Sequence, residues 1–341
     1  MNGDRRATIA GFAGAVLVLA VLFWFVGMGE IVRTLRRAEP PVLIAVVGFS
    51  GLWLVSWGMS LHTVLGALGH SIKARSAILV FSAAVFSNNV TPFGQAGGEP
   101  VSALLISEVT DSDYETGLAA IASVDTLHFV PSIGLATVGL GTFAIRTVSL
   151  GRNLLFASIA VGALAGVFLA GVLAGWRYRY EIERFVVRLF TPAIRRLWDV
   201  LPRLDPPTRE DIEEGIEGFF CSIDRVASSR RTILRASLYS TLGWLSLSMA
   251  LWLSLAAIGY VVPFVATLVV VPVASIAAIT PLPGGLGGIE TAFIALLVST
   301  TGVAASVAGA AIVIYRVATY WLPIVLGGAV AATLGARRQR P

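Results

Sequence analysis

Separate apolar runs of about 20 residues recur along the chain, each about long enough to cross the hydrocarbon core of a bilayer. They fall at residues 7–26, 41–61, 118–143, 154–176, 233–258 and 303–334. A backbone immersed in hydrocarbon has to satisfy its own polar groups, so runs of this kind fold as helices. Only 13% of the residues are charged, against about a quarter in a soluble domain, while 56% are hydrophobic. The expected fold class is therefore all-α, a polytopic transmembrane helical bundle. A water-soluble enzyme, a disordered tail and a disulfide scaffold are excluded.

Two further apolar stretches, 77–107 and 262–300, are broken in the middle by proline and glycine. An uninterrupted helix would not accept such clusters. The first break reads Ser87-Asn88-Asn89-Val90-Thr91-Pro92-Phe93-Gly94-Gln95-Ala96-Gly97-Gly98-Glu99-Pro100. The second reads Thr280-Pro281-Leu282-Pro283-Gly284-Gly285-Leu286-Gly287-Gly288-Ile289-Glu290. Both run from Thr-Pro through glycines to a Gly-Gly pair and a glutamate. Arms of half length on either side suit a re-entrant hairpin, which enters and leaves the bilayer on one face.

Charge placement sets the expected orientation. The chain carries 25 basic and 20 acidic residues, a net +5, and every basic residue but Lys73 is arginine. Twelve arginines lie between Trp176 and Arg235, and Arg337, Arg338 and Arg340 lie near the last residue. Such loops stay cytoplasmic, so the surplus is a topology signal and not a nucleic-acid footprint. With both regions inside, the halves have opposite sense, and two such units make an inverted-topology repeat. The expected division is one integral membrane domain over 1–341, with a first repeat at 41–145, a cytoplasmic insert at 177–231 and a second repeat at 232–335. Both termini are expected in the cytoplasm of a cell-membrane protein. Arg33, Arg36 and Arg37 run against this scheme, since they fall outside.

Within the insert, Ile212, Ile216, Phe219, Ile223 and Val226 recur at three-four spacing after Pro206-Pro207. This is an amphipathic helix over 208–228. Its apolar face is expected against its own bundle, with a cytoplasmic partner as the sharper alternative.

Few formal charges lie deep within the spans and hairpins: Glu99, Asp125, Glu290 and Arg316, with His128 nearby. Each is costly there, roughly 2.5 to 3.5 kcal/mol at a helix centre for a charged form, so pairing is expected. Matching positions in the two breaks place Glu99 and Glu290 together, with Arg316 balancing at least one. Where a helix restarts after glycines, free N–H groups and the dipole favour an anion such as a phosphate headgroup. The expected binding set is Asn88, Asn89, Thr91, Gln95, Gly97, Gly98, Glu99, Gly284, Gly285, Gly287, Gly288, Glu290 and Arg316. For Asn88 and Asn89, headgroup recognition and repair of backbone bonds lost at Pro92 weigh equally. Asp125 and His128, three apart on one helical face, suit a hydrogen-bonded pair or a proton relay. One cysteine, Cys221, and three scattered histidines leave no metal site or cofactor expected.

At the breaks the sequence resembles the flippase-like membrane family related to the transmembrane region of lysylphosphatidylglycerol synthase, the multiple peptide resistance factor of bacteria. Asn89 to Pro100 and Pro281 to Glu290 carry the resemblance, supported by Arg316 and Trp321-Leu322-Pro323. It implies translocation of lipid between leaflets, with an anionic phospholipid, an aminoacylated lipid or a polyprenyl-phosphate sugar carrier as cargo. Aminoacyl transfer, which the synthases perform with a further soluble domain, is not expected of these residues. The family often shows a Glu-Arg pair in the helix that here reads Ser123-Val124-Asp125-Thr126; Asp125 replaces the acid and the arginine is missing. The expected function is lipid transport without enzymatic chemistry. Its rivals are a proton-coupled carrier of a small solute and a membrane scaffold that recruits a lipid-modifying or glycosyl-transferring enzyme; a membrane-embedded lipid transferase is a further rival.

Overall fold

A computed structural model describes residues 27–91, 94–146, 209–280 and 282–338, with isolated positions at 21 and 24 and between 159 and 177. The expected spans at 7–26 and 154–176 and the arginine-rich stretch before residue 209 fall outside these continuous segments. Among the described residues every regular element is helical. In chain order they are α1 (Met28–Leu35), α2 (Pro40–Ala67), α3 (Ala74–Val90), α4 (Gln95–Thr110), α5 (Tyr114–Arg146), α6 (Arg209–Ser228), α7 (Arg230–Ala256), α8 (Phe264–Ser275), α9 (Gly288–Thr301), α10 (Ala305–Arg316) and α11 (Leu322–Arg338).

Among the described residues, five helical stretches are long and apolar enough to cross a membrane: Pro40–Ala67, Tyr114–Thr142, Arg230–Ala256, Pro283–Thr301 and Ala305–Thr333. The first has 28 residues, about 42 Å at about 1.5 Å per residue, more than a bilayer core requires. The outer surface suits lipid. Leu234, Leu238 and Val325 are 71%, 67% and 66% exposed, while Leu61, Leu251 and Ile312 inside are fully buried. An exposed apolar shell around an apolar interior is the pattern of a chain whose solvent is hydrocarbon.

With little hydrophobic force between helices in lipid, packing and interhelical hydrogen bonds hold such a bundle together. The broadest contact joins α2 to α7. Trp57 on α2 donates its indole N–H to the Ser240 carbonyl at 3.2 Å, and Ser60 donates to the Ala236 carbonyl at 3.4 Å. Trp244 on α7 reaches the His128 carbonyl of α5 at 2.9 Å. These ties set α5 beside the α2–α7 pair.

Each interrupted stretch yields two helices packed on one another, α3 on α4 and α8 on α9. The first pair has 17 and 16 residues, each about 25 Å and short of a crossing. The second is less even. Helix α8 has 12 residues, whereas α9 together with its leading turn reaches the crossing length of Pro283–Thr301, longer than the half-length arm expected.

The last run, expected as one continuous helix, contains a π-helical turn at Val317–Trp321 directly after Arg316. Pro323 supplies the cause. It has no N–H for the Thr319 carbonyl, and its ring crowds that position, so the helix widens just before it.

Helix α6 lies against α5. Val226 is buried, Ile216, Phe219 and Ile223 are half-buried, and Glu217, Cys221 and Asp224 are exposed. Arg225 also donates to the Leu68 carbonyl at the end of α2, at 3.2 Å. The amphipathic pattern thus places an apolar face on the bundle.

Candidate functional site

The two breaks meet. Gly284 adopts φ +58°, and a Cβ there would fall on the Tyr320 ring and within 3.1 Å of the Asn89 carbonyl oxygen. A Cβ on Gly94 would stand 3.2 Å from the carbonyl oxygen of Ala278. Backbone from one half therefore lies directly on backbone from the other, an approach that glycine permits. Tyr320 ties the junction by donating its hydroxyl to the Asn89 carbonyl at 3.1 Å.

Glu290 is 3% exposed and spends both oxygens locally. Oε2 accepts the Gly287 N–H at 2.5 Å, closing the start of α9 as half of a capping box. Oε1 accepts Arg316 Nε at 2.6 Å. Arg316 also donates from Nη2 to the Gly284 carbonyl at 3.2 Å, and its guanidinium lies 4.7 Å from the centre of the Tyr320 ring. The second break is thereby an internally neutral knot. Gly284, Gly285 and Gly287 are buried in it and Gly288 is half-buried.

Glu99 takes a different partner. It sits on α4 past the first turn, with its carboxyl within hydrogen-bonding reach of the Asp125 carboxyl on α5. Oδ2 of Asp125 is buried and receives no donor. His128, one turn further, places Nδ1 at 3.9 Å from Asp125 Oδ1 and stacks on Trp57 with ring centres 3.9 Å apart. Of the two glutamates expected to converge with Arg316 balancing at least one, Glu290 pairs with Arg316 and Glu99 faces Asp125 instead.

At the first break Thr91 makes the local repair, since its hydroxyl reaches the Ser87 carbonyl at 2.7 Å and the Gly94 carbonyl at 3.2 Å. Asn88 Oδ1 and Asn89 Nδ2 are buried without a partner, so these atoms take no share in that repair. Gly98 is buried and Gly97 half-buried, and Gln95, the first residue of α4, is exposed. Gly94, the residue before α4, supplies no side-chain cap. Thr280 Oγ1, at the second break beside Gly288, is a third buried atom without a partner.

The structure thus gathers Asn88, Asn89, Thr91, Gly98, Gly284 and Arg316 around one junction, and sets Glu99, Asp125 and His128 in a separate row. Sequence reading missed Tyr320 and Thr280 at the junction and Trp57 at the row. Tyr320 was findable, lying one turn beyond Arg316; nothing in the periodicity marks Trp57.

A model of the family described as the lysylphosphatidylglycerol synthase TM region matches residues 8–327. The chain belongs to this family. Within reach of its sequence, a UPF0104 membrane protein of Methanothermobacter thermautotrophicus is 24% identical over 332 residues, spanning 95% of this chain and 92% of that protein. A UPF0104 membrane protein of Pyrococcus horikoshii is 22% identical over 323 residues, 92% of this chain and 93% of the other. Glycosyltransferase AglD of Haloferax volcanii is 26% identical over 341 residues, which span 91% of this chain and 52% of that protein. Membership makes the chain a multi-pass membrane protein.

Proposed function

We propose that this protein carries a phosphate-bearing lipid headgroup between leaflets, without covalent chemistry, at the junction of the two breaks. One observation carries the reading: Asn88 Oδ1, Asn89 Nδ2 and Thr280 Oγ1 are buried there without partners. A buried polar atom left unpaired costs about 1–3 kcal/mol, and a ligand that supplies the missing partner recovers it. The open start of α4 adds N–H groups and a positive dipole end for the phosphate. The start of α9 is closed to it by Glu290. In this proposal both hairpins are re-entrant, the halves form an inverted repeat, the acyl chains stay in lipid, and both termini face the cytoplasm of a cell membrane.

The test uses purified protein in vesicles holding a trace of headgroup-labelled fluorescent phosphatidylglycerol or a labelled polyprenyl-phosphate sugar, with a membrane-impermeant quencher outside. Protein should expose the inner-leaflet label, and Asn88→Ala/Asn89→Ala should abolish the effect while the protein stays folded. Rates equal to protein-free vesicles with both lipids would end the proposal.

A second reading has one support. The chain matches only half of Glycosyltransferase AglD, a layout that suits a membrane scaffold serving a glycosyl-transferring enzyme through α6. Deletion of residues 208–228 that leaves enzyme association intact would remove it.

A further inference from the structure

The Glu99–Asp125–His128 row lies outside the headgroup junction, and the contacts around it are unusual for buried acids. Intramembrane carboxyls normally pair with a cation or with backbone donors. Here, among the described residues, Glu99 and Asp125 face each other with no arginine or lysine between them. The helices packed on the row bring no further charge. Helix α2 presents Trp57, α3 presents Phe81 and Asn88, and α7 presents Trp244. Helix α8 contains no ionisable residue. Helix α6 meets α5 a few turns away, where Gly215 lies beside Glu115, and Glu214, Glu217, Asp224 and Arg225 are exposed. His128 is an independent pointer: it is only 5% exposed, its Nε2 has no partner, and its other nitrogen faces Asp125.

Two facing carboxyls hold each other only by sharing a proton, and among the described residues no cation beside them offsets the charge of the bare pair. We propose that Glu99, Asp125 and His128 form a proton-binding site, and that its occupancy drives headgroup movement by the first hairpin. The coupling rests on the transport reading above; the proton site itself does not.

The step balances simply. A proton from water forms an O–H bond on half-buried Glu99; that bond breaks as the proton passes to the Asp125 carboxylate. Asp125 releases it toward His128 Nδ1, once the 3.9 Å gap shortens by about 1 Å to hydrogen-bond length. Each transfer returns its donor to the starting form; His128 then holds the proton, and release retraces the same path to water with no other reactant consumed. Helix α4 connects the two sites: the end that receives phosphate lies at Gly94, and Glu99 is five residues further along. A bare Glu99 repels an incoming phosphate, and a loaded one does not. Proton and anionic headgroup therefore favour each other's binding, reciprocally, and the pair travels with less net charge than the lipid alone.

Infrared difference spectra of the purified full chain between alkaline and acidic pH test the site directly. Wild type should show a protonated-carboxyl band that shifts in deuterated water and is lost in both Glu99→Gln and Asp125→Asn, while His128→Gln moves its midpoint. No titrating band in wild type, or the same band in both near-isosteric variants, would overturn the proton site. Size exclusion and thermal unfolding establish that each variant is folded, and two variants at different positions keep the result readable if one is not.

Vesicles with labelled phosphatidylglycerol test the coupling. Acidifying the side that holds the label should speed wild-type movement, by up to about tenfold per pH unit for one linked proton, and Asp125→Asn should lose that dependence. Movement indifferent to the gradient in wild type would overturn the coupling and leave transport standing. Absence of movement under every gradient would overturn the transport reading, with the infrared result still deciding the proton site.

Discussion

The hydroxyl of Tyr320 donates to the backbone carbonyl of Asn89 at 3.1 Å, so the last helical run of the second half holds the end of α3 in the first. The carbonyl it satisfies belongs to the last turn of α3, which ends at the break. The same ring lies beneath Arg316. One side chain thus links the neutral knot to the junction.

Tyr320→Phe keeps the ring over Gly284 and under Arg316 and removes only that donor. It should lower stability by about 1 kcal/mol, the net worth of one such bond. Tyr320→Ala should cost more, because ring packing and the cation contact go with it. Thermal or denaturant unfolding in detergent separates the two.

The Glu290–Arg316 pair should behave as a unit. Breaking a fully buried pair costs roughly 3–5 kcal/mol because a charge is left stranded. With the Arg316 side chain 16% exposed, Glu290→Gln should fall at the lower end. Adding Arg316→Gln should cost less than the two single changes summed, and a double-mutant cycle measures the difference. Strict additivity would mean that the pair is not coupled.

Gly98 is a tight contact between α3 and α4. A Cβ there would fall on Asn88 at Oδ1 and within 2.6–2.7 Å of its backbone N and Cα. Backbone yields less than a side-chain tip, so Gly98→Ala should cost at least the upper end of the roughly 1–3 kcal/mol typical of overpacking. A melting temperature equal to wild type would show that α3 and α4 separate freely.

Thr91→Val should loosen the first break by removing the hydroxyl that reaches the Ser87 and Gly94 carbonyls. The expected loss is about 1 kcal/mol, with faster amide exchange confined to the residues around the break. Thr91→Ser should restore both.

Much of the fold was legible because apolar length is a strong signal and proline with glycine marks where a helix stops. Residues 41–61, 118–143 and 233–258 lie within α2, α5 and α7 apart from a residue or two at the last end. The site was legible only in part. The matched order of residues in the breaks suggested matched roles for Glu99 and Glu290, but role depends on where each helix begins. The positive-φ glycine before α4 is Gly94, and the one before α9 is Gly287. Glu290 comes three residues after its glycine and turns back to cap; Glu99 comes five after and points past the first turn. Spacing within a motif does not report which of several glycines adopts the turn. Pro323 was visible too, yet its effect, a widened turn at Arg316 and Tyr320, depends on how the surrounding helices take up the freed carbonyl.

The cancellation of Glu290 by Arg316 has an electrical consequence. Fields from opposite charges 2.6 Å apart fade quickly, so an ion drifting toward the interior senses the carboxyls of the first half and almost nothing from the second. A near-duplicated stretch of amino acids thereby produces a lopsided molecule, with one silent pole and one that speaks.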